Sequence, residues 1–463
     1  MDDATRMEKD SLGELAVPAQ AYYGVQTQRA ISNFPISGTP MPRAFIRAHG
    51  MLKKAAALVN QELGLLEGRF SVAIVQACDE ILADAPWSMD QFPVDVYQTG
   101  SGTSTNMNVN EVIASRANEL LGGKRGDKAP VHPNDQVNLG QSSNDTFPTS
   151  LQVMAAEMLK ATLAAEVAGL IHSLEVRSQA LWSVIKTGRT HLQDATPIRL
   201  GQEFQGYARQ IAAWHAAGRM RAEFRLASLP LGGTAVGTGI NAHPLFAPKV
   251  IALLATWTCI ELHETDNHFG EQASLDAALT AHGELKALAV ALTKICNDIR
   301  WMGSGPRAGL GEIEIPAVQP GSSIMPGKVN PVICESLLMV CQRVIGNDAA
   351  MTAAACGNNF ELAMSMPLAA LLLHESITLL ANACRNLATQ CIDGIIATPR
   401  GPELVERGLM LATALAPTLG YDAAAAIAKE AARSGKTIRE VVLEKGLMTD
   451  AQLHAALDPE KMV

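Results

Sequence analysis

Between residues 271 and 300 the apolar side chains Leu275, Leu279, Leu285, Leu288, Leu292, Ile295 and Ile299, with His282 among them, recur every three or four residues. That period is helical, and it excludes a strand over this length. Comparable runs fall near 149–186, 200–228, 246–300 (broken or bent around 263–270), 332–355 and 360–392. Aromatic residues make up 4% of the chain against 48% hydrophobic, so Ala, Leu, Val and Met must do the packing. Small side chains let helices approach closely. The expected fold is all-α, built on a central bundle of long helices. Helices this long and this rich in Ala bury more than one face, which implies an oligomer.

The flanking segments are shorter. Residues 6–18, turning at Asp10-Ser11-Leu12-Gly13, suit a small hairpin. Helices are expected near 43–63, 69–84 and 107–121, the last opened by the polar run 99–104 and closed by Gly122-Gly123. Pro399 and Gly401-Pro402 mark a boundary. Beyond it Thr437 with Glu440, and Thr449 with Gln452, fit capping boxes, and Gly446 is a stop between them. The 463 residues then divide into three domains: 1–140, 141–396 and 397–463.

A net charge of −9 makes nucleic acid and anionic membrane poor partners. A small anion would need a locally positive pocket. The eight cysteines form no CxxC pair and fall mostly in apolar helical runs, so reduced, buried thiols in a cytoplasmic protein are expected. The opening Met1-Asp2-Asp3-Ala4 is acidic and lacks the apolar core of a signal peptide. No stretch reaches eighteen apolar residues, so no membrane span is expected.

Four polar islands interrupt the apolar chain: 99–110, 132–149, 188–202 and 321–331. Each supplies more hydroxyls and carboxamides than one helix cap needs: Ser101, Thr103 and Asn106; Ser142, Ser143 and Asn144; Thr190 and His191; Ser322, Ser323, Lys328 and Asn330. The surplus, beside free N–H groups at helix starts, suits carboxylates. In the last island, Gly321-Ser322-Ser323-Ile324-Met325-Pro326-Gly327-Lys328-Val329-Asn330-Pro331, two glycines and two prolines deny regular structure. A surface connector is the plain alternative, yet Ile and Met beside this polar set suit a catalytic lid. His191, beside a helix start, suits an acid or base near neutral pH, and also a cap or core role. Glu335, in the first turn of a helix, would polarise such a histidine or simply complement the helix dipole.

Other chemistries fail on spacing. Gly321 and Gly327 are separated by five residues where a P-loop needs four, and Val329 stands where magnesium needs a hydroxyl. Gly232-Gly233 and Gly237-Thr238-Gly239 lack a flanking strand pattern for a dinucleotide. His263 and His268, near Glu264 and Asp266, are five apart and on different helix faces, so no metal site is expected. His374-Glu375 reads as a satisfied core pair.

The islands match a known pattern. The segment 321–331 resembles the signature of the aspartase/fumarase superfamily, and the match runs over nearly the whole chain. Thr99-Gly100-Ser101-Gly102-Thr103, Gln141-Ser142-Ser143-Asn144-Asp145-Thr146, residues 188–197 and residues 232–239 follow in order. Ser142-Ser143-Asn144-Asp145, Gly232-Gly233, Gly327 and the segment 420–462 resemble class II fumarases, whereas Ala21-Tyr22-Tyr23-Gly24-Val25 looks more like aspartase. The resemblance implies a homotetramer, with five long helices per chain in one bundle and active sites shared by three subunits. It places Ser101, Gly102, Thr103, Ser142, Ser143, Asn144, Thr190, Ser323, Lys328 and Asn330 around a small dicarboxylate. His191 and Ser322 would be catalytic, with Glu335 backing His191, and no metal or organic cofactor is implied. His132, Asn134 and Asp135 resemble a second dicarboxylate site, although Ala129 and Pro130 stand where some relatives carry basic residues. The implied reaction is reversible hydration of fumarate to (S)-malate through an aci-carboxylate. Aspartate ammonia-lyase and an inactive structural homologue are the alternatives.

Overall fold

The computed structural model describes residues 4–463, so Met1-Asp2-Asp3, most of the acidic opening, lies outside the described residues. The chain opens with the hairpin β1 (Thr5–Asp10) and β2 (Gly13–Pro18), Thr5 lying opposite Pro18 and Asp10 opposite Gly13. Helices α1 (Val25–Asn33), α2 (Arg43–Glu62), α3 (Gly68–Leu82) and α4 (Thr103–Leu120) follow. Helix α5 (Ser143–Met158) runs through a π-helical turn, Leu159–Leu163, into α6 (Ala164–Ala180). Strands β3 (Ile185–Thr190) and β4 (Gln193–Arg199) lead to α7 (Leu200–Ala213), then a second π-helical turn, Trp214–Gly218, and α8 (Arg219–Leu226). Strand β5 (Ser228–Leu229), α9 (Phe246–Thr258), β6 (His263–Glu264), α10 (His268–Gln272) and α11 (Asp276–Met302) come next. After β7 (Ile313–Glu314) come the long helices α12 (Val332–Ala355) and α13 (Met366–Gln390), then β8 (Ile396–Ala397). The chain ends with α14 (Arg400–Arg407), α15 (Ala416–Leu419), α16 (Tyr421–Ser434), α17 (Ile438–Glu444) and α18 (Asp450–Ala456). Helix accounts for 61% of the chain. Among the described residues the strands form two-stranded sheets: β1-β2, β3-β4, β5-β6 and β7-β8.

The described chain divides into two compact units. The first comprises residues 4–164, Ala216–Ala287 and Gln342–Leu379; the second comprises Ala165–His215, Leu288–Cys341 and Leu380–Val463. In the first, α2 packs against α3, α5 and α9 and buries Phe45, Ile46, Leu52, Ala55, Ala56 and Val59. Burying each large apolar side chain contributes roughly 1.5–3 kcal/mol. The Phe45 ring lies 4.4 Å from that of Phe147 on α5. His282 of α11, fully buried, ties the long helices together: Nδ1 sits 3.2 Å from Asp348 Oδ1 on α12, and Nε2 sits 2.9 Å from Ser376 Oγ on α13. The order serine, histidine, aspartate imitates a hydrolase triad. Lys286 and Asn347 complete its hydrogen bonds instead, and its histidine and serine have no exposed surface.

In the second unit the C-terminal helices close over Val405, Leu411, Leu415, Ile427, Val441 and Leu453. The hydroxyls of Thr437 and Thr449 accept from the amides of Glu440 and Gln452, the expected capping boxes. Gly446 takes φ 61°, a left-handed stop suited to glycine.

Several expectations need correction. The helical run 149–186 ends at Ala180, and residues 185–199 form a hairpin rather than a polar loop. The last long run begins at Met366, not 360. Cys259 and Cys356 are exposed, whereas the other six cysteines are buried. Glu375 bonds Arg343 and Asn347, not its neighbour His374. One segment, Met366–Gly394, is apolar and long enough to cross a membrane by composition, although 56% of its apolar window is buried within the chain. Its contacts through Glu375 and Ser376 are those of a bundle helix.

Candidate active site

Three of the expected groups meet where α4 and α5 begin. Gly102, at φ 73°, caps α4, and a Cβ there would stand 2.1 Å from the Phe147 ring. Only glycine fits both the left-handed backbone and that contact. The turn brings hydroxyls into a chain: Ser101 Oγ to Thr103 Oγ1 at 3.0 Å, and Thr103 Oγ1 to Ser143 Oγ at 2.8 Å. Ser142 caps α5 by accepting from Asn144 N, while Asp145 Oδ1 accepts from Ser142 N, a reciprocal capping box. The other oxygen of Asp145 accepts the amides of Gly232 and Thr234 at 3.1 and 3.0 Å. Asn144 Nδ2 donates to Ala235 O at 2.8 Å, so the segment 232–235 is fastened to the start of α5. Burial raises the Asp145 carboxyl, and the three amides oppose that rise. The result is a helix N-terminus bearing several neutral donors, a fitting seat for a carboxylate.

His132, Asn134 and Asp135 fall within one turn. His132 Nδ1 accepts from Asn134 N at 3.3 Å and lies 3.5 Å from Asp135 Oδ2.

Beneath these groups lies a network that the sequence reading missed. Lys53, fully buried on α2, donates to Asn138 Oδ1 and Gln141 Oε1, both at 2.9 Å. His49, one turn earlier, bridges Ser150 Oγ at 2.8 Å and Asn106 Oδ1 at 3.0 Å. Burial pushes Lys53 down to about 7 and His49 down to about 3. The available signal was phase: Ile46, His49, Lys53, Ala56 and Asn60 share one buried helical stripe.

In the second unit, His191 and Leu192 form the tip of the β3–β4 hairpin, with φ 53° and 61°. Two successive left-handed residues make the turn that matches strand twist. Thr190 and His191 are exposed there. The hairpin is anchored from below. Lys186, on β3, reaches Glu203 at 2.9 Å and Glu312 at 3.0 Å, and Arg189 grips Glu312 at 2.8 Å. Lys186 and Glu312 are buried.

The segment 321–331 is a loop. Ser322 Oγ accepts from the amides of Ile324 and Met325 at 3.3 and 3.0 Å, and Asn330 Nδ2 donates to Gly321 O at 2.6 Å. Ser323 and Lys328 face solvent, as do Ile324 at 84%, Met325 at 48% and Val329 at 49% exposure. Glu335 lines a hollow of about 360 Å³ with Asn297, Arg300 and Pro331. Among the described residues no hydrogen bond joins Glu335 to His191 within the chain. No group of three His, Cys, Asp or Glu side chains is arranged to hold a metal among them either.

The chain matches a lyase family over residues 13–346, and a family described as the fumarase C C-terminus over 411–463. It is 48% identical to a fumarate hydratase class II of Methylorubrum extorquens, covering 99% of this chain and 97% of that one. It is 50% identical to a fumarate hydratase class II of Thermosynechococcus vestitus, covering 97% and 96%. The fold resembles the crystal structure of a class II fumarase from Schistosoma mansoni, with a TM-score of 0.95, 38% identity and 99% of each chain covered. The chain belongs to the class II fumarate hydratases, a family of hydro-lyases.

Proposed function

We propose that this enzyme adds water reversibly to fumarate, giving (S)-malate, by anti addition through an aci-carboxylate. In the dehydration direction Ser322, as an alkoxide, takes the proton beside one carboxylate, and that electron pair passes into the carboxylate. The C–O bond then breaks on the opposite face, and the departing hydroxide leaves as water with a proton from His191. Glu335 orients His191. A serine needs a depressed pKa for this role, and the observation that carries the reading is the pair of loop amides aimed at Ser322 Oγ. Lys328 and Asn330 stabilise the aci-carboxylate, whose added charge exists only near the transition state. An ammonium about 4 Å from that charge, at an effective dielectric of about 20, contributes roughly 4 kcal/mol. Ser101, Gly102, Thr103, Ser142, Ser143, Asn144, Thr190 and Ser323 hold the substrate carboxylates.

Among the described residues no hydrogen bond joins His191 to Ser322 within one chain. We therefore assign the working site to a homotetramer in which three subunits supply its parts. Val290, Met339 and Trp301, more than half exposed on the long helices, support burial against other chains. His132, Asn134 and Asp135 are assigned to a second dicarboxylate position, and six buried free cysteines suit the cytoplasm. Incubation with fumarate, with and without ammonium, tests the reaction by ultraviolet absorbance. Loss of fumarate without ammonium is expected. Loss only with ammonium would make the enzyme an aspartate ammonia-lyase, and no loss in either would leave an inactive homologue.

A further inference from the structure

Lys53 is an anomaly: a fully buried lysine with no carboxylate in salt-bridge reach among the described residues. Its ammonium meets two carboxamide oxygens, both from the segment that leads into α5. Asn138 Oδ1 also accepts from Asn106 and Asn110 of α4 at 3.3 and 3.2 Å, while Asn138 Nδ2 donates to Gln141 O at 3.1 Å. Gln141 Nε2 in turn donates to the carbonyls of Val137 and Leu139. The segment 137–141 is thus folded around one cation, and the next three residues are Ser142, Ser143 and Asn144. Burying a charge is costly unless it is paired and hydrogen-bonded, and here hydrogen bonds alone offset that cost.

The surroundings are specific. On α5, Asp145 faces Lys53 and favours its charge. On α3, burial pushes the Cys78 thiol up and keeps it neutral, and Asp79 is engaged with Lys54. On α2 itself His49 stays neutral. On α4, Glu111 is turned to the amides of Gly24, Gln26 and Thr27. Lys249 of α9 pairs with Glu62 at the far end of α2. Lys53 is therefore the cation behind the N-terminus of α5.

We propose that Lys53 is a positioning residue for the substrate: its charged form holds the turn 138–142 and reinforces, from behind, the anion seat at the start of α5. The inference rests on the reading of that helix start as a dicarboxylate site. Binding of a dianion favours the ammonium, so substrate and proton bind cooperatively. Apparent affinity then weakens as pH rises through neutrality, because burial already places the Lys53 transition there.

The test is steady-state kinetics of fumarate hydration between pH 6 and 9 with the intact enzyme, Lys53→Met and Gln141→Leu. Lys53→Met removes the charge but keeps length and apolar volume. Its KM should rise about tenfold at pH 6.5, the scale of one lost charged hydrogen bond, with a smaller change in kcat. Its KM should also lack the rise with pH expected of the unmodified enzyme. Gln141→Leu removes one acceptor from the ammonium, so the KM rise should move toward lower pH by about one unit. This second variant decides the matter if Lys53→Met does not fold. An unchanged KM profile in Lys53→Met, or an unmoved one in Gln141→Leu, overturns the inference while leaving the reaction intact. Absence of hydration by the unmodified enzyme overturns the assigned reaction and this inference with it.

Discussion

Lys53 links activity to a cost in stability. Its folded value near 7 lies below the ordinary 10.5, so the unfolded chain binds the proton more tightly. Stability from this group is fully present above the unfolded value and is lost as pH falls toward the folded value. Lys53→Met, which carries no such proton, should therefore be more stable than the unmodified protein at pH 6.5, and the gap should close as pH approaches 10. Thermal unfolding across that range measures it, and a gap that stays constant with pH would contradict the assignment. Trading stability for a functional charge is a common arrangement at binding sites. The hydroxyl and carboxamide residues before α4 and α5 stand out in the sequence because they cluster where helices begin, where one cap suffices. Lys53 does not, because the pair Lys53-Lys54 in a helix suggests a solvated face. Only Lys54 is used in that way, pairing with Asp79 on the outside of α3.

At the scale of the element, the β3–β4 hairpin shows why sequence patterns fall short. Lys186, Thr187 and Gly188 are buried in succession, so no apolar alternation marks the strand. Its burial partners are charges, not a hydrophobic core: Glu312 receives Lys186 and Arg189 together. Neutralising Glu312 leaves a buried cation depending on Glu203 alone. Glu312→Gln should cost about 3 kcal/mol of stability and loosen the tip that carries His191. Calorimetry and the rate of hydration should fall together; an unshifted melting temperature would show that the anchor is dispensable. Helix α12, by contrast, was legible to the residue, because Pro331 bounds its start and Ala, Leu, Val and Ile fill the run. The π-helical turns at Leu159–Leu163 and Trp214–Gly218 were not anticipated, because each lies inside a continuous helical run where apolar residues are too dense to show the break in phase that one extra residue makes.

For the whole molecule, Val290 and Met339 on the long helices stand more than half in water, where the proposed assembly would cover them. Met339→Glu should split the assembly into smaller species on light scattering and abolish hydration with it, because a charge buried between chains without a partner is not tolerated. A full-size, active assembly from this variant would place the contact elsewhere. The exposed apolar tip of the loop carrying Ser322 has a further thermodynamic consequence. Ile324, Met325 and Val329 are hydrated while the loop stands open, and closing over a ligand would shed that water. Fumarate itself offers little hydrocarbon, yet its binding should then carry a negative heat-capacity change supplied by the protein. Titration calorimetry at several temperatures would detect it, and replacing Ile324 by Ser should shrink it.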